Sequence, residues 1–72
     1  MTYQQAARNL NKRVRLNDKV HQFGGEFILS ALITRKNQSG AYMQAELAEP
    51  RGRSVMIVPL EYLEEIGNEN ME

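Results

Sequence analysis

Hydrophobic and polar positions repeat with a helical period at the start of this chain and with a period of two after it. Tyr3, Ala6, Ala7 and Leu10 fall at i, i+3, i+4 and i+7, one stripe, with Gln4, Arg8 and Asn9 facing away from it. Thr2 and Gln5 stand where a capping box needs them, a hydroxyl to accept from the third helical amide and a side chain to reach back. The pattern predicts a helix over residues 2–10, stopped at Asn11. It is too short to stand alone and must form by docking its stripe.

From Lys12 onward the period is two. Lys12–Leu16 turns Val14 and Leu16 inward and Arg13 and Arg15 outward, a first strand that Asn17-Asp18 ends in a turn. The segment from Lys19 to Gly25 reads either as a hairpin on a Gly24-Gly25 turn or, the reading adopted, as a loop with partial hairpin character. Glu26–Lys36 is the longest strand. Strict alternation places Phe27, Leu29, Ala31 and Ile33 on one face and Ile28, Ser30, Leu32 and Thr34 on the other. Both faces are then apolar, so the strand bends through a barrel corner or is covered. The helical stripe is the expected cover and a partner subunit the alternative.

Asn37-Gln38-Ser39-Gly40 closes a hairpin into Ala41–Glu49, where Met43, Ala45 and Leu47 alternate with Tyr42, Gln44 and Glu46. Pro50-Arg51-Gly52-Arg53 turns into Ser54–Val58, an apolar, β-branched run that reads as a central strand. Pro59 ends it, Leu60–Leu63 make a single turn, and Glu64–Ile66 return as a fifth strand. Gly67–Glu72 reads as a frayed acidic tail. The expectation is a single, mainly β domain, a small five-stranded antiparallel barrel over residues 12–66 behind a short N-terminal α-helix.

Composition narrows the function. A chain of 72 residues buries a thin core, and with no Cys and one His it has neither a disulfide nor a Cys-based zinc site, which leaves oligomerisation open. No apolar stretch approaches the roughly 18 to 20 residues of a membrane span, and Met1–Leu10 lacks the order of a signal peptide. A soluble, cytoplasmic chain with no membrane, metal or cofactor is expected. Net charge is zero, but residues 1–36 hold seven Lys and Arg against two acids and residues 37–72 hold the reverse. Either this builds a basic face, or the halves interleave and neutralise across strands, the reading adopted.

Catalytic chemistry has few candidates. Glu61, Glu64 and Glu65 sit about a short turn, His21 has no second ligand, and Ser30, Ser39 and Ser54 lack a nucleophile elbow. No enzyme is expected. Binding is easier to support: Arg13 and Arg15 project from the first strand, and Lys19, Arg35 and Lys36 lie at loop ends. With Phe23 or Tyr42 exposed beside them, they suit single-stranded nucleic acid or a peptide. The plainer reading puts Phe23 in the core and leaves the cations to solubilise the chain.

Glu26–Lys36, Tyr42–Leu47 and Ser54–Val58 resemble a group of short, uncharacterised proteins of Gram-positive bacteria, their phages and mobile elements, over about Lys12 to Ile66. That resemblance implies no activity. The strand order and the Pro59–Leu63 turn are similar to SH3-like barrels. Sm-like barrels of RNA chaperones also place a helix before five strands, but here Ser30 stands where their second strand bends at Gly, and their Asp-then-Asn uridine pattern is missing. The expectation adopted is a non-enzymatic SH3-like module, phage- or element-encoded, that binds a protein or peptide through loop 17–25 and the 36–41 turn. A nucleic-acid binder is the alternative, and self-association through a strand edge a third expectation.

Overall fold

The computed structural model describes residues 1–52 and 54–66. The Gly67–Glu72 tail, and Arg53 of the turn after Glu49, lie outside the described residues.

The capping box forms. Thr2 Oγ1 accepts from the Gln5 amide at 3.1 Å, and Gln5 Oε1 accepts from the Thr2 amide at 2.9 Å. It opens α1 (Tyr3–Arg8), which ends at Asn9, short of the expected Leu10. Asn11 takes φ 68 as the chain turns into the sheet. The docked face differs from the expected stripe: Ala6 is fully buried, but Tyr3 and Leu10 are exposed. Polar anchors set this rotation. Asn9 donates to Glu65 at 2.8 Å, Arg8 meets the same carboxylate at 3.4 Å, and the N-terminal amine reaches the Leu60 carbonyl at 3.2 Å.

Five strands follow: β1 (Arg13–Asp18), β2 (Phe23–Asn37), β3 (Gly40–Ala48), β4 (Val55–Pro59) and β5 (Leu63–Glu65), with a 3₁₀ turn at Leu60–Tyr62 before the last. They form one antiparallel sheet in the order β4-β3-β2-β1-β5. Its edges, β4 and β5, do not pair with each other, so the sheet is not closed. β5 has three residues and uses its ladder on β1, opposite Val14, Arg15 and Leu16. The core is built from Val14, Leu16, Leu29, Ala45, Leu47 and Leu63, with Ala6 and Leu60 closing it.

A single bulge explains why β2 is apolar on both faces. Leu29 pairs with Leu47 but Ala31 pairs with Glu46, so Ser30 is an extra residue. Beyond it the alternation inverts. Leu32 and Thr34 take the inner face opposite Ala45 and Met43, and Ala31 and Ile33 turn outward. The expected faces hold before Ser30 and are reversed after it.

The first hairpin also differs from expectation. Asn17 and Asp18 remain in strand, opposite Gly24 and Phe23, and the turn is residues 19–22. Asp18 builds that turn, since Oδ1 accepts from the amides of Val20 and His21, each at 3.1 Å. Gly24 lies within the ladder opposite Asn17, and the position requires glycine because a Cβ there would stand 2.9 Å from the Leu16 carbonyl oxygen. The second hairpin turns at Gln38-Ser39 between the paired Asn37 and Gly40. β4, expected at the centre of the sheet, is an edge.

Candidate interaction surface

The uneven charge of the two halves allows one basic face or, the reading adopted, halves that interleave and neutralise. The sheet alternates sign across three strands. Arg15 lies between Glu26 on β2 and Glu64 on β5. The guanidinium groups of Arg13 and Arg15 approach Glu26 at 3.6 and 3.8 Å, and Glu64 accepts from Asn17 at 3.1 Å. Together with Arg8–Glu65, these contacts follow the interleaved reading of the charges. Such exposed pairs add little stability, but they cancel the field a phosphate would feel.

The remaining candidates divide between the two ends of β2. Lys19 and Phe23 lie at the β1–β2 turn, whereas Arg35, Lys36 and Tyr42 lie at the β2–β3 hairpin. Twelve positions of strand separate Phe23 from Arg35, about 40 Å along its contour. No single ligand groove joins them. Phe23 is 46% exposed, outside the core, with its ring tilted on Phe27 at a centroid distance of 6.4 Å. Arg35 stands across from Tyr42 and donates its Nε to Gln44.

His21 Nδ1 lies 2.8 Å from Asp18 Oδ2. Burial works to raise the Asp18 carboxyl, but hydrogen bonds from the His21 ring and amide, the His21 charge and the Val20 amide outweigh it. The carboxyl is held below its ordinary value of 3.8. Among the described residues, no three His, Cys, Asp or Glu side chains gather in a way that could hold a metal ion.

The surface that the geometry does assemble is the outer face of β2, β3 and β4. Register puts its residues in rows across the three strands: Ile28–Ala48–Val55, then Ala31–Glu46–Ile57, then Ile33–Gln44–Pro59. Tyr42, opposite Arg35, extends it toward the hairpin. Val55 is 62% exposed, Ile57 43% and Tyr42 41%. Glu46 is the one charge within these rows, and Ser30 Oγ donates to its carboxylate at 3.0 Å. Helix α1 lies on the other side of the sheet, where Ala6 joins the core. Among the described residues no element covers the outer face.

Of the expected binding residues, Tyr42 belongs to this face, and Arg35 and Arg13, the latter opposite Ile28, border it. Val55 and Ile57 were missed because an apolar β-branched run reads alike at the centre of a sheet and at its edge. The lack of any charge from Ser54 to Val58 is the same in both settings. No protein-family model, curated protein or solved structure matches the chain.

Proposed function

We propose that this chain is a small non-enzymatic interaction module of SH3-like architecture that binds a protein partner through the outer face of β2–β4. The strand order β4-β3-β2-β1-β5 and the 3₁₀ turn before β5 support the architectural part. Architecture alone assigns no function, so the surface carries the argument. Its central observation is that Tyr42, Val55 and Ile57 are exposed together on a face with one charge inside it. Protein interfaces are built this way, with an apolar centre low in charge and rich in aromatic and branched side chains. The 36–41 turn borders this face, whereas loop 17–25 lies at the far end of β2 and has no part in it.

A nucleic-acid reading needs cations gathered on one path. Here Arg13 and Arg15 share Glu26, and Arg35 and Lys36 are a strand length away. The test is a backbone-amide NMR titration in two arms. Mixed single-stranded and duplex oligonucleotides at low and moderate salt are expected to leave the spectrum unmoved. Salt-sensitive shifts on Lys12–Lys19 and Arg35–Tyr42 would overturn the proposal in favour of phosphate binding. Peptides selected from a random library are expected to shift Ile33, Tyr42 and Ile57, and to lose that effect in Tyr42→Ala.

A further inference from the structure

We propose that β4 pairs antiparallel with β4 of a second copy of this chain. This deepens the reading of the outer face as a protein-binding surface, on which it rests, by naming the partner at the β4 margin.

The backbone gives the first argument. The Glu49 amide donates to the Ser54 carbonyl at 3.0 Å. Bonding alternates along an antiparallel ladder, so Ser54, Met56 and Val58 direct their groups to β3, and Val55 and Ile57 direct theirs to the free edge. Pro59 comes next on that free side and has no N–H to offer, which bounds the sticky segment. Among the described residues, Val55 and Ile57 therefore turn two donors and two acceptors to an open edge, and they are the two residues of β4 whose side chains are most exposed.

A two-fold axis at Met56 satisfies all of them. Val55 of one copy then faces Ile57 of the other, and each such pair exchanges two N–H···O=C bonds, four in total. The same register sets Val55 of one copy beside Ile57 of the other on the outer face, so the two apolar faces become one. The contact is isologous and closes on itself, which gives a dimer and no filament.

Charge and size give the second argument. Ser54–Val58 carries no charge and the chain has zero net charge, so neither the segment nor the overall field opposes a second copy. The opposite edge is guarded. β5 is three residues long and includes Glu64 and Glu65, both engaged by side chains of β1 or of the α1 region. A 72-residue chain without disulfide also has a thin core that added strands would support.

The experiment is sedimentation equilibrium of the full chain up to about 1 mM, with amide exchange measured at the dilute and concentrated ends. The expected result is a mass that doubles with concentration, and Val55 and Ile57 amides at least about tenfold slower to exchange in the dimer. Val55→Pro removes one edge donor and leaves the bonds of Ser54, Met56 and Val58 to β3. Ile57→Lys, a second variant, places a gatekeeper charge on the exposed side. Each is expected to weaken the dimer by at least about tenfold. A chain that is monomeric at the top of the range, or a dimer whose Val55 and Ile57 amides exchange as fast as in the monomer, overturns the proposal. A monomer whose outer face still takes selected peptides overturns the self-pairing alone and leaves the protein-binding reading standing.

Discussion

Ser30 Oγ lies 3.0 Å from both the carbonyl oxygen and the Oε2 of Glu46, across the bulge in β2. The extra residue leaves a gap in the ladder, and the hydroxyl fills it while fixing the one carboxylate within the rows of the outer face. Ser30→Ala is expected to lower stability by about 1.5 kcal/mol, the lower end of the range for a hydrogen bond to a charged group. Urea denaturation followed by circular dichroism measures it, and an unchanged midpoint would mean the contact is idle.

Neighbouring residues of β4 should answer a charge in opposite ways. Met56 packs against the core from the inner face, and Ile57 stands on the outer one. Ile57→Lys is expected to change monomer stability by no more than about 0.5 kcal/mol, whereas Met56→Lys sets a charge against the core at a half-buried site and costs more than about 1 kcal/mol. Thermal melts of dilute protein distinguish the two, and equal losses would show that the register is wrong.

Gly24 cannot take a side chain without moving the backbone, since its Cβ would meet the Leu16 carbonyl oxygen at 2.9 Å. Gly24→Ala is expected to cost about 1–3 kcal/mol and to shift the amides from Leu16 to Phe23. Gly52, at φ 72 in the β3–β4 turn, has nothing near its Cβ position, so Gly52→Asn is expected to cost less than about 1 kcal/mol.

Acid should loosen the first hairpin before the rest of the sheet. The folded Asp18 carboxyl sits below 3.8, so in that range the unfolded chain binds the extra proton and stability rises with pH. The contribution is complete above the unfolded value and is lost as pH falls through the folded one, below about pH 4. Amide shifts of Val20 and His21 are expected to titrate together in this window. Asp18→Asn keeps the turn geometry and should abolish that titration.

Period and turn chemistry were enough to read the element order, the inward set Val14, Leu16, Met43, Ala45 and Leu47, and the Thr2–Gln5 cap. These features depend on neighbours in sequence, through a capping hydrogen bond or the two-residue alternation of a strand. The bulge at Ser30 was not legible, because an extra residue shows only against the strand it faces. Nor was the split of the cations, since Arg13 and Arg15 find Glu26 only through register.

The sequence by itself determined a short capped helix followed by five strands, because hydrophobic period and turn residues act within a few positions of each other. Only the tertiary structure decided that, among the described residues, β4 is an edge and Val55 and Ile57 face outward from it. Both follow from which strands come to lie side by side, and a strand's own residues are the same whether one neighbour is present or two.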